Sequence, residues 1–141
     1  MSRSGHLGET LAGRYLVRRG WTILDRNWSG GGGELDIVAR RAGVVAFVEV
    51  KSRAQAAELI DPVRYGQQAR LINAARLYLA QHPQLSRAFA RLDVITVDTG
   101  RRLHRVAHIA GAFEMDGSLD TPPAPSNRRS SGYATDRNER R

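Results

Sequence analysis

Val44-Val45-Ala46-Phe47-Val48-Glu49-Val50-Lys51 is the stretch that decides the fold. Its first five residues are apolar and mostly β-branched, the pattern of a strand buried on both faces. Two charges then appear at its end, separated by one valine. Side chains alternate across a strand, so Glu49 and Lys51 share one face and Val48 and Val50 the other. Charges ending a core strand cost several kcal/mol unless each has a partner. The pair is therefore either a structural ion pair or part of a site.

Working outward, Gly33–Arg41 reads as a second strand, with Leu35, Ile37 and Ala39 on one face and Glu34, Asp36 and Val38 on the other. Ala42-Gly43 is a tight turn, so the two strands form an antiparallel hairpin that sets Asp36 beside Glu49. Trp21–Arg26 is a further short strand, and Asn27 to Gly33 reads as a flexible loop. Before it, Leu7, Leu11, Ala12, Tyr15 and Leu16 form an apolar stripe at helical spacing over residues 5–19. Arg14, Arg18 and Arg19 lie off the stripe, Glu9 borders it, and Gly20 is the stop.

After the central strand, Asp61-Pro62 opens a long helix with the stripe Leu71, Ala74, Ala75, Tyr78 and Leu79, ended by His82-Pro83. Arg91–Asp98 and Leu103–Ile109 are two more strands. The order defines an α/β sandwich, a five-stranded mixed sheet flanked by helices. Residues 1–116 form one domain. Residues 117–141, rich in proline, serine and arginine, read as a disordered basic tail.

The chain has 141 residues, net charge +8 and no cysteine, so disulfides and thiolate zinc sites are excluded. The tail holds five arginines and three acids, +2, which leaves 17 − 11 = +6 for residues 1–116. The basic character belongs mainly to the domain and points to a polyanionic partner, most simply DNA. No apolar run approaches a membrane span and no secretory signal is visible, so a cytoplasmic location with no membrane partner is the expectation. Of the 22 Lys plus Arg, Lys51 is the single lysine. Lysine is a compact point charge whose pKa can be moved, unlike the planar guanidinium of arginine.

Asp36 and Glu49 on neighbouring strands, with Lys51 beside them, form a natural cradle for a hard divalent cation, Mg²⁺ or Mn²⁺. Such a cation polarises a phosphodiester, and the lysine positions water or stabilises charge on phosphate. Glu9 offers a third carboxylate. Arg40, Arg41, Arg53, Arg64 and Arg70 flank these positions in sequence and are expected to hold the DNA backbone. Asp93 is expected to have a structural partner. The four histidines read as surface or turn residues, and Trp28 as a packing residue.

Asp36 followed by Glu49-Val50-Lys51 resembles the D…ExK signature of the PD-(D/E)xK nuclease superfamily. The ordered set Gly8-Glu9, Gly20-Trp21, Asn27, Gly33 to Ala39, Phe47 to Arg53, Arg70-Leu71 and Leu92-Asp93-Val94 is similar to the YraN-type family of bacterial proteins, itself similar to archaeal Holliday-junction resolvases. The resemblance covers roughly residues 5 to 114. It implies the restriction-endonuclease-like three-layer sandwich, a divalent-metal site and action on branched or damaged DNA. It carries Glu9, Asp36, Glu49 and Lys51 into metal-binding or catalytic roles. Leu35 stands where the superfamily has proline, and Gln67 where a lysine is common. Gln67 would then line the DNA cleft. A non-catalytic nucleic-acid-binding module and a scaffold for a DNA-processing protein remain the rival readings. The two-strand chemistry of resolvases adds a homodimer as a further expectation.

Overall fold

The computed structural model describes residues 3–53, 65–100 and 102–113. The connection 54–64, which includes Arg64, and the tail expected over 117–141 lie outside the described residues. The elements run α1 (Arg3–Arg18), β1 (Thr22–Gly30), β2 (Gly33–Arg41), β3 (Val44–Arg53), α2 (Tyr65–Gln81), a short 3₁₀ turn (Pro83–Leu85), β4 (Phe89–Asp98) and β5 (Arg105–Phe113).

The strands form one open sheet in the order β1-β2-β3-β4-β5. Only β3 and β4 are parallel, from Val44 opposite Phe89 to Arg53 opposite Asp98; the other neighbours are antiparallel. A parallel pair needs a crossover, and α2 supplies it. The five-stranded mixed α/β sandwich expected from the sequence is the observed architecture.

Each face of the sheet is covered by one helix. On one side Leu71, Ala74, Ala75 and Tyr78 of α2 pack on Leu35, Val38, Val45, Phe47, Leu92 and Val94. On the other, Ala12 and Leu16 of α1 pack on Ile37, Ala39, Ala46, Val48, Ile95 and Val97, with Trp21 joining them. Alternating residues of β3 thus feed both cores, which is why its sequence is a continuous apolar run. Full burial of each large side chain contributes roughly 1.5–3 kcal/mol. Leu7, expected in the α1 stripe, is exposed instead.

The alternation expected for β2 fails at one point. Leu35 and Val38 belong to the α2 side, whereas Ile37 and Ala39 belong to the α1 side. The faces exchange at Asp36. Its neighbour across the β1–β2 hairpin, Asn27, has a left-handed φ of 51°. On β1 the same exchange puts Arg26 against Gly13 of α1 and Trp28 against Tyr78 of α2.

The glycine-rich stretch is also ordered differently from expectation. β1 continues to Gly30, and only Gly31 and Gly32, with φ of 62° and 81°, form the turn. Positive φ at both central residues suits the right-handed twist of a two-residue hairpin. Gly33 is required for another reason: a Cβ there would collide with the Arg70 carbonyl oxygen of α2. The glycines form a tight hairpin on which α2 rides, and the flexible-loop reading is corrected accordingly.

Candidate metal and phosphate site

The site lies where β2 and β3 part. Their ladder runs from Arg41 opposite Val44 up to Ile37 opposite Val48 and stops there. At the next position the Val50 N–H donates to Asp36 Oδ2 at 2.8 Å, so a side-chain carboxylate replaces a backbone acceptor. Asp36 is thereby held against β3. Glu49 hydrogen-bonds to it side chain to side chain. Lys51 Nζ lies 3.4 Å from Glu49 Oε2, with both side chains largely buried. Glu49, Lys51 and Asp36 converge as the alternation argument expects, and the two carboxylates meet.

α1 runs antiparallel to β3 and brings Glu9 to the same end. Its Gly8 lies so close to β3 that a Cβ would stand 2.8 Å from Ser52 Cβ. The charge of Glu9 acts on Asp36, as does that of Glu34, which sequence reasoning did not single out. Sequence alternation set Glu34 on the same face of β2 as Asp36, which was the signal that could have found it.

Burial, then the neighbouring charges of Glu49, Glu9 and Glu34, push the Asp36 carboxyl up to about 7 against the opposing Val50 hydrogen bond. Glu49 is also raised, first by burial, while Lys51 and the hydrogen bond from Asp36 work the other way. Two buried carboxylates in contact cannot both ionise at low cost, which favours a proton held between them. A divalent cation could take that proton's place. The donors are hard oxygens, which suit Mg²⁺ or Mn²⁺. Among the described residues no three His, Cys, Asp or Glu side chains form a metal-holding group; Asp36 and Glu49 are the two carboxylates in direct contact, and Glu9 acts on Asp36 through its charge.

The basic residues expected beside the site separate into two sets. Arg70 is exposed on α2, and its backbone packs on Gly33, near the site end of β2. The side chains of Arg53 and Gln67, like all of Arg64, lie outside the described residues. Arg40 and Arg41 are at the opposite end of the hairpin, where Arg41 pairs with Val44. Five residues separate Asp36 from Arg41, about 17 Å at about 3.3 Å per residue. Their expected place at the site edge is corrected: closeness in sequence put them next to the wrong end of β3.

Asp93 is fully buried and fully bonded. Arg91 donates from Nε and Nη2 at 2.9 and 3.0 Å, the Gly111 N–H donates at 2.9 Å, and His108 Nε2 lies 2.7 Å from Oδ2. The expectation of a structural partner holds. His108 is corrected from a surface residue to part of this network, with its ring edge on Tyr15. Trp28 packs edge-to-face on Tyr78, whose hydroxyl donates to Asp25.

The protein is thus a mixed α/β sandwich with two paired carboxylates and a lysine where β2 and β3 part. Residues 8–97 match the uncharacterised protein family UPF0102, and the chain belongs to that family, the YraN-type family expected from the ordered motifs. UPF0102 proteins of Gloeobacter violaceus, Myxococcus xanthus and Roseiflexus castenholzii are 43%, 42% and 41% identical to it. These matches cover 73%, 78% and 80% of this chain and 86%, 88% and 94% of the relatives.

Proposed function

We propose that this protein is a divalent-metal-dependent DNA endonuclease, with branched or damaged DNA as its substrate class. The observation that supports it best is the meeting of Asp36, Glu49 and Lys51 at the parting of β2 and β3. Asp36 and Glu49 would hold Mg²⁺ or Mn²⁺, which when bound polarises a phosphodiester and lowers the pKa of a coordinated water. Asp36, fixed by the Val50 N–H, sets the position of the pair. Lys51 presents its ammonium to the scissile phosphate and stabilises charge that develops there. Glu9 adds negative potential that favours a cation over a proton at the pair.

One observation favours a second reading, a nucleic-acid-binding module without catalysis. Lys51 and Glu49, 3.4 Å apart, make the close ion pair that a structural role alone would also show. Incubation of the purified protein with single-stranded, duplex and branched DNA, in Mg²⁺ or Mn²⁺ and in EDTA, separates the two. Metal-dependent cleavage abolished by EDTA is the result expected of the enzyme. DNA binding without cleavage under any metal would replace it with the module.

A further inference from the structure

The arginines that do not reach the carboxylate site form a surface of their own. Arg18 ends α1 and Arg19 follows it, Arg40 and Arg41 end β2, and all four are exposed. Arg41 Nη1 donates to the Arg19 carbonyl at 2.9 Å, which ties the two elements together. Exposed Arg87 joins them, because the Phe89 N–H donates at 2.7 Å to Gly43 in the β2–β3 turn. These five arginines share one end of the sheet, the end remote from Asp36 and Glu49.

The carboxylates are distributed the other way. Among the seven of the described residues, Glu9, Glu34, Asp36 and Glu49 gather at the site end, and Asp98 lies at the same end of β4. Asp93 is buried under Arg91 and His108. Of the seven, Asp25 comes nearest to the arginine end, opposite Val38 and two positions from Arg40 along β2, and it accepts from Tyr78. Like charges gathered together raise the local potential and cost stability, which is a reason to expect a polyanion there.

We infer that this end of the sheet is a second nucleic-acid contact, a phosphate-binding surface separate from the carboxylate site. This inference rests on the DNA reading proposed above. Several of the guanidinium groups are held in place. Arg19 lies 4.0 Å from the Tyr15 ring centroid, and Arg41 lies 4.6 Å from that of Trp21 while bonded to the Arg19 carbonyl. Pre-set planar forks match phosphate oxygens and lose less freedom on binding than mobile lysines. An anionic membrane is the poorer fit. Interfacial binding uses several exposed aromatic and apolar anchors, whereas at this end Trp21 is buried and covered by Arg41, and of the large apolar side chains on the last turn of α1 only Val17 is exposed.

The test compares two charge-matched triple variants of the full chain. Arg18→Gln, Arg40→Gln and Arg87→Gln remove exposed arginines of this surface. Arg26→Gln, Arg102→Gln and Arg105→Gln remove three exposed arginines to which neither DNA contact is assigned. Thermal melting first establishes that both fold. Binding of a fluorescein-labelled 25-base-pair duplex and a four-way junction is then measured by anisotropy in Ca²⁺ across a salt series. Each lost phosphate contact lowers the log–log salt slope by about 0.9, so the first variant should lose up to roughly 2.7 in slope and at least about tenfold in affinity at low salt. The inference stands if the first variant loses more than the second. It falls if the first loses the same or less while wild type binds DNA, and the DNA reading then survives. Wild type that binds neither DNA overturns both, and vesicles of phosphatidylcholine and phosphatidylserine, run in parallel, show whether a lipid surface is the polyanion instead.

Discussion

The Val50 N–H donates to Asp36 Oδ2 at 2.8 Å, so a carboxylate occupies the place of a backbone carbonyl in the β2–β3 ladder. The bond does two things. It satisfies an N–H that the parting strands leave without a ladder partner. It also fixes a charged side chain against Glu49, where burial and like charge raise its pKa.

That raised pKa sets the pH dependence of the metal-free protein. Asp36 titrates near 3.8 when unfolded and at about 7 when folded, so between these values the folded state binds more protons. Stability must then fall as pH rises through that window and level off above it. Glu49, also raised, acts in the same direction. In EDTA, the melting temperature should decline from pH 5 to pH 7.5, and Asp36→Asn should flatten the decline. The same substitution should weaken Mn²⁺ binding in calorimetry. An unchanged slope together with unchanged Mn²⁺ affinity would remove Asp36 from the pair.

Gly33→Ala and Gly32→Ala test how α2 is seated. At Gly33 a methyl group meets the Arg70 carbonyl oxygen, and backbone must move. Overpacking of this kind costs about 1–3 kcal/mol. At Gly32 a Cβ meets nothing within 4 Å, and only the left-handed φ of 81° is strained. That strain is worth about 1–2 kcal/mol. Chemical denaturation should rank Gly33→Ala as the more damaging, and only Gly33→Ala should disturb the Trp28 fluorescence through the Trp28–Tyr78 contact. Equal effects would mean that α2 does not press on the hairpin.

Asp93→Ala should be more damaging than either. It leaves Arg91 without its carboxylate and takes away the acceptor of the Gly111 N–H. Removing one partner of a buried pair costs about 3–5 kcal/mol. Urea unfolding should show that loss, while DNA affinity of the folded fraction stays unchanged, because Asp93 lies inside the sheet layer. A fall below about 1 kcal/mol, the value of an exposed ion pair, would show the network to be solvent-screened.

The order of elements and the central strand were legible because β3 carries its burial in its composition. Glu49 and Lys51 were legible for the same reason, as charges that break an apolar run. The hidden features all depend on register. Asn27 at φ 51° and the slip at Asp36 cannot be seen in a hydrophobic pattern that alternates without interruption on paper. His108 meets Asp93 because β5 pairs with β4 through a shifted register, which short strands do not announce. The position of Arg40 and Arg41 was available in principle. A turn at Ala42-Gly43 starts β3, whereas Glu49 ends it, so residues flanking that turn must lie at the far end of the hairpin.

Lys51→Arg distinguishes the roles open to the chain's single lysine. A general attraction for DNA predicts almost no effect, since the charge is retained. A structural pair with Glu49, 3.4 Å away, also predicts little, because arginine pairs well with carboxylates. A part in phosphoryl chemistry predicts a large effect. The Lys51 side chain is mostly buried beside Glu49, and a planar guanidinium there is larger and unable to move a proton. Loss of a charge-stabilising contact made mainly in the transition state costs about 10²–10³ in rate. The arginine variant should therefore fold, bind a junction in Ca²⁺ with near wild-type affinity, and lose most Mg²⁺-dependent single-turnover cleavage. Cleavage at the wild-type rate would assign Lys51 to the ion pair alone. Cleavage by neither protein, with binding intact in both, would turn the site into a recognition element and leave the ammonium as a phosphate contact.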